Sequence, residues 1–310
     1  MSSMFANCIN LKKINLSSFN TSLVTMMNDM FKNCTSLTSL DLSNFDTTEV
    51  YSMNSMFQYC ISLTSLDLSN FIVKNTAVFN NMFDNCQKIT SLDLSNFETS
   101  NNRYMNYIFQ NCYSLEYVKV PKFNTSQVSY TYSLFENCTS LKFLDLSSFN
   151  MKSSLSMKSM FKNCYVLTSI ILSNFETNKT TSMSSMFENC GKLISLDLTH
   201  FITNNVNDLS NMFKNCSSLE FLKINFNTQK VTKMQYMFSS CIKLNSLDIS
   251  SFNSNNCKNF TNMFEKDENL NLYIDAKKCP NLIDKIPEYI NIINISNIYL
   301  QCFILGLYGI

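Results

Sequence analysis

The chain has 310 residues, with 24 Lys and Arg against 23 Asp and Glu, three Gly, three Pro, one His and no Trp. A formal net charge of +1 removes the electrostatic argument for nucleic acid or an anionic membrane surface, which both need clustered cations. The 26 Phe, 18 Met and 14 Tyr exclude a solvated, disordered coil.

Gly and Pro together fall far below their usual ~12%, so other residues must make the turns. Asn and Ser, which are abundant, can do so by hydrogen-bonding their own backbone. The run from Met1 to Cys8 opens on the second half of a repeat, and no charged segment followed by an apolar stretch marks it as a secretory leader. From there a ruler runs through the chain. Cys8, Cys34, Cys60, Cys86, Cys112, Cys138, Cys164, Cys190 and Cys216 are 26 residues apart, and Cys241 follows after 25. A Phe stands three residues before each, from Phe5 to Phe238, and Phe264 extends the series with Asp267 in the Cys position. Such a period is the signature of a repeat array.

Within one unit, Leu37 to Ser62, the Leu40, Asp41, Leu42 alternation reads as a short strand with one buried face. An Asn-bearing turn, Asn44 and Phe45, follows. Val50, Met53, Met56, Phe57 and Cys60 are then spaced to share one face of a short helical segment. One such coil cannot bury both its Leu and its Met/Phe stripe, so it must stack on its neighbours. The run LTSLDLSNFDT followed by SMNSMFQYC, with its variants LTSLDLSNFIV, ITSLDLSNFET, LKFLDLSSFNM, LISLDLTHFIT and LNSLDISSFNS, resembles the 26-residue repeat of BspA-like leucine-rich-repeat surface proteins. The resemblance covers roughly residues 1–274. It implies an α/β, leucine-rich-repeat-like right-handed solenoid of about eleven coils, with a parallel sheet on one face and short helical turns on the other. A helical second wall, at about 8–10 Å between axes, would curve the body around strands spaced about 4.8 Å; a wall of 3₁₀ turns would leave it straighter. The unit at Leu219 to Thr228 lacks one residue, so a local bulge or kink is expected there.

Stacking converts each repeat position into a column. The Leu37, Leu40, Leu42, Phe45, Val50, Met53, Met56, Phe57 and Cys60 columns are core. No CxxC occurs and His200 is the only imidazole, so the usual zinc ligand sets are missing. The Cys column reads as a buried ladder of free thiols, and no metal or other cofactor is expected. A Thr column after the turn, from Thr21 to Thr228, reads as turn-capping hydroxyls. His200 stands in the position of Asn44 and reads as a turn residue, and no enzyme is expected from a chain with one His.

The outward strand column carries an acidic ladder, Asp41, Asp67 and Asp93, to be relieved by Ser hydroxyls such as Ser39, Ser65 and Ser91, by cations or by a basic partner. Lys119 and Lys223 replace Asp in this column, and Asp145 keeps it. Two residues earlier the column is mostly Ser, but Tyr117, Phe143 and Phe221 interrupt it. Exposed aromatics beside charge are the residue types that anchor interfaces, so Tyr117, Lys119, Phe143 and Asp145, with Phe221 and Lys223 further along, are the candidate partner-binding residues.

Beyond Ile274 the repeat ends, and residues 275–310 are expected as a non-repeat cap or tail. Its last thirteen residues, from Ile298 to Ile310, are mainly apolar but short of the ~20 needed to span a bilayer. They read as a hydrophobic cap, and no membrane contact is expected except through 298–310. The resemblance implies a non-catalytic adhesion or binding protein, at the cell surface or secreted, whose sheet face meets a protein or glycan. The alternative is an intracellular interaction scaffold with reduced thiols, cytoplasmic if the N-terminus is complete. Oligomeric state is not assigned.

Overall fold

The computed structural model describes residues 1–73 and 78–296. These form a parallel β-solenoid built from the expected coil of about 26 residues. In chain order come β1 (Ser91–Asp93), β2 (Tyr117–Lys119), β3 (Phe143–Asp145), β4 (Ser169–Ile171), β5 (Ser195–Leu198), β6 (Phe221–Ile224), β7 (Ser246–Asp248), β8 (Asn271–Ile274), α1 (Pro280–Ile283) and β9 (Asn291–Asn294). All pairings are parallel: β1 with β2, β3 with β4, β5 with β6, and β7 with β8 with β9. Strands β1 to β7 mark seven coils, and the count of eleven inferred from the Phe and Cys columns is not established by the strands.

The expected core columns are buried throughout Leu37, Leu40, Leu42, Phe45, Val50, Met53, Met56, Phe57 and Cys60. Two Phe columns stack along the axis. From Phe5 to Phe264 neighbouring rings stack with centroids 5.0 to 5.9 Å apart, and Phe123, Phe149, Phe175 and Phe201 form a second pile. Each such pair adds about 0.5–1.5 kcal/mol beyond its area burial.

The second wall is not helical. Two residues per coil, four apart, hold positive φ: Asp29 and Asn33, Ser55 and Tyr59, Asn81 and Asn85, and so on to Asn262 and Lys266. A left-handed residue every fourth position stops an α-helix from propagating. The wall is instead a run of tight turns, such as Met30 N–H to Met27 O at 3.4 Å and Cys34 N–H to Phe31 O at 3.1 Å. Each carries its positive φ at the third turn residue, the position that Gly or Asn ordinarily fills. Four-residue turns, each closed from residue i to i+3, reproduce the spacing of Met53, Met56, Phe57 and Cys60 that resembles a helix.

Alternate amides of this wall reach the next coil: Asp29 N–H to Asn54 O at 2.8 Å, Phe31 N–H to Met56 O at 2.9 Å and Asn33 N–H to Gln58 O at 2.8 Å. Both walls are therefore spaced by backbone hydrogen bonds, and the mismatch that would have curved the body is missing. Beyond β8, α1 opens with Pro280 at its first turn, where the absent N–H costs nothing. Leu282 and Ile290 are buried, and β9 continues the sheet. The apolar segment at 298–310 lies outside the described residues, and among those described no helix is long and apolar enough to cross a membrane.

Candidate functional site

The sheet face is built from strands of three or four residues, with Ser and Asp at the outer positions of β1, β5 and β7, and its chemistry is set first by what each outer Asp does. Asp41 Oδ1 accepts the Ser43 N–H at 3.0 Å, Asp67 the Ser69 N–H at 2.9 Å, and Asp93 the Ser95 N–H at 2.9 Å and its hydroxyl. The acidic ladder is thus a row of Asx turns, in which each carboxylate folds onto the backbone two residues on. The partners are Ser43, Ser69 and Ser95 rather than the preceding Ser39, Ser65 and Ser91. The Ser43 and Ser69 amides, with their hydroxyls, hold Asp41 and Asp67 below the ordinary carboxylate range, and the Ser95 hydroxyl leads for Asp93.

This capping role explains two of the breaks in the Asp column, though not the one at Ile171. At Lys119 the residue two further on is Pro121, which has no N–H to offer. At Lys223 the corresponding turn has lost a residue. Lys119 faces Asp93 across the β1–β2 register and pairs with it at 3.2 Å.

Beside it, Tyr117 is 51% exposed and Phe143 43%. Tyr117, Lys119, Phe143 and Asp145 line one concavity of about 310 Å³ with Pro121 and Ser148. The Glu116–Lys142 ion pair at 3.0 Å lies next to the two aromatics in sequence, so the apolar rings are bracketed by charge. Phe221, 65% exposed, and Lys223 are in register with Ser195 and Asp197. They stand three coils beyond Phe143, about 14 Å along the stack, and form a separate patch.

The thiols are structural. Each buried Cys of the ladder donates to the carbonyl of a Phe in the preceding coil, from Cys34 to Phe5 O at 3.1 Å through Cys138 to Phe109 O at 3.1 Å and Cys241 to Phe213 O at 3.1 Å; Cys257, off the ladder, bonds Asn259 O instead. All twelve described Cys are free, and of these only Cys8 is exposed. Burial pushes the thiols up, to about 11 at Cys34 and about 12 at Cys164 and Cys216, so they are poor nucleophiles. His200 takes the Asn44 role: its Nε2 lies 3.0 Å from Leu172 O, as Asn44 Nδ2 lies 2.9 Å from Leu16 O.

Two clefts lie outside the sequence expectations, which at the shortened unit were limited to a local bulge or kink. The missing residue at Asn225 opens a cleft of about 670 Å³ between the turns of His200 and Ser251. A cleft of about 540 Å³ lined by Arg103, Lys152 and Lys179 opens on another side of the coil. Its signal was present in the sequence as cations near one repeat position in three of four neighbouring coils, with Ser126 and Gln127 in the fourth.

The profile of the family described as "Mycoplasma protein of unknown function, DUF285" matches residues 1–118, 79–201 and 181–286. Among solved structures, a leucine-rich repeat protein from Bacteroides ovatus is similar, at 18% identity over 95% of this chain and 86% of that one, with a TM-score of 0.46. The Drosophila Toll–Spätzle complex matches at 13% identity over 81% of this chain and 43% of that one, TM-score 0.34. The functional domain of InlJ from Listeria monocytogenes, described as including a cysteine ladder, matches at 16% over 85% and 67%, TM-score 0.24. No curated protein matches the chain.

Proposed function

The chain belongs to the DUF285 family of Mycoplasma proteins, and from that premise we propose that it is a non-catalytic binding protein of the BspA-like kind, presenting its sheet face to a protein or glycan. The observation that carries the reading is the concavity where Tyr117 and Phe143 break a Ser-lined face. Stacked repeats provide a continuous, rigid platform for such contacts, and aromatic residues contribute binding area at small entropic cost. His200 bonded into a turn supports a non-catalytic role. The same reading locates the protein at the cell surface or outside the cell. The buried free thiols favour a second reading, an intracellular scaffold, and labelling intact cells with a membrane-impermeant reagent separates the two.

The site is tested by screening the wild-type chain against purified glycan arrays and displayed peptides, then measuring the best ligand against a variant carrying Tyr117→Ser, Lys119→Asp and Phe143→Ser. Loss of two anchors weakens binding at least about 30-fold, the equivalent of ~2 kcal/mol, with unchanged circular dichroism. Binding that survives the triple change overturns the assignment.

A further inference from the structure

After the Thr column the chain turns a corner, and there Arg103, Lys152 and Lys179 open onto the cleft of about 540 Å³ together with Ser126, Gln127 and Ser129. Arg103 belongs to the coil of β1 and Lys179 to the coil of β4, so the cations are spread over three coil steps, about 14 Å along the axis. The floor is fixed by backbone bonds that cross the coils: Ser129 N–H to Arg103 O at 2.9 Å, Leu155 N–H to Ser129 O at 2.8 Å and Thr181 N–H to Leu155 O at 2.8 Å. Lys152 itself is set by an Asx turn, its N–H on Asn150 Oδ1 at 3.0 Å. The frame that carries the charges is therefore built, not mobile side chains alone.

Several lysines of the solenoid meet carboxylates, among them Lys119 with Asp93, Lys142 with Glu116, Lys162 with Glu188 and Lys243 with Glu220. The cleft gathers cations that do not. Among the described residues none of the three cations forms an ion pair, and no carboxylate lines the cleft. Three like charges gathered in one concavity do nothing for the fold and raise the local potential for an anion.

We propose that this cleft binds an acidic glycan segment, a short run of sulfated or uronate sugars, at a site that shares no lining residue with the sheet face. Hydroxyl and amide groups from Ser126, Gln127 and Ser129 match the polar surface of a sugar. No aromatic side chain lines the cleft, so it lacks the stacking platform that single-stranded nucleic acid uses. Leu155 is its one apolar lining residue, which is too little to seat the side chains of an acidic peptide.

The test is calorimetric titration of the full chain with a heparin-derived sulfated tetrasaccharide at two salt concentrations. Wild type binds, and more weakly at higher salt, because counterions are released from the ligand. The variant with Arg103→Gln, Lys152→Gln and Lys179→Gln loses at least 10-fold in affinity and flattens the salt dependence. The control variant with Lys142→Gln and Lys243→Gln, on cations outside the cleft, keeps the wild-type values. Both variants alter exposed side chains, so circular dichroism should match wild type. No binding at millimolar tetrasaccharide, an equal loss in the control, or tighter binding of oligothymidylate or polyglutamate each overturns the proposal.

Discussion

The Thr column shows how a single side chain can hold two coils together. Thr125 Oγ1 donates to Asn150 O at 2.7 Å and accepts the Asn150 N–H at 2.8 Å; Thr177 does the same with Ile202 and Thr228 with Asn253. One buried hydroxyl thus satisfies both backbone groups of a residue 25 positions on. Where Val73 replaces Thr, the backbone closes the gap directly, with Glu98 N–H on Val73 O at 2.8 Å. Thr125→Val keeps the shape and removes the relay, leaving two backbone groups short of partners, each costing about 1–3 kcal/mol if it stays buried. The expected loss is about 2–3 kcal/mol by urea denaturation, while Thr125→Ser, which keeps the hydroxyl, costs under about 1 kcal/mol. A Val variant as stable as wild type would mean that the coil adopts the Val73 arrangement. The Thr residues were legible as turn hydroxyls from the sequence, but the two-way relay was not, because it depends on which backbone atoms of the next coil stand opposite.

At the scale of the element, the strand half of the coil was readable and the other half was misread for a definable reason. Leu40 and Leu42 bury alternate positions as a strand must. Val50 to Cys60 has a spacing shared by an α-helix and by successive tight turns, and only the backbone sign at Ser55 and Tyr59 separates them. The Asn residues carried that information. Asn137, Asn163 and Asn189 sit at positive φ, and each is linked to the next by its side-chain amide, Asn163 Nδ2 to Asn137 Oδ1 at 2.6 Å and Asn189 Nδ2 to Asn163 Oδ1 at 2.5 Å. Asn thereby does the work of the missing Gly and adds a cross-coil bond that Gly could not. The candidate patch was legible because Tyr117 and Phe143 interrupt a column; the cleft at Asn225 was not, since a deletion shows only that something is lost. Intact coils close this turn with a Phe45 N–H to Leu42 O bond at 2.9 Å and an Asn44 amide on the preceding coil. Inserting a Ser between Ile224 and Asn225 restores both, and should raise stability by about 1–2 kcal/mol, read as a higher urea midpoint with an unchanged slope. A lower midpoint would show that the shortened turn is itself the well-packed state.

At the scale of the molecule, stability in a stack is close to a sum over coils and their interfaces, so a defect near the end governs where unfolding starts. The Cys column ends at such a defect. Asp267 occupies the thiol position, is buried, and both its carboxyl oxygens lack a hydrogen-bond partner among the described residues. Burial, reinforced by the neighbouring Glu265 carboxylate, outweighs the nearby Cys241 backbone and pushes its carboxyl up to about 8. A carboxyl whose folded pKa is raised binds more protons folded than unfolded between pH ~4 and ~8, so stability falls as pH rises through that window and levels off above it. Four units correspond to at most about 5 kcal/mol, felt first in the coil joining β7 to β8 and in the β9 cap that packs on it. Asp267→Cys returns the column's own residue, whose thiol can donate to the carbonyl of the coil before. This variant should melt well above wild type at pH 8 and differ far less at pH 4, and hydrogen exchange should locate the gain in residues 241–296. Equal gains at both pH values would attribute the effect to packing and remove the carboxyl's titration from the account.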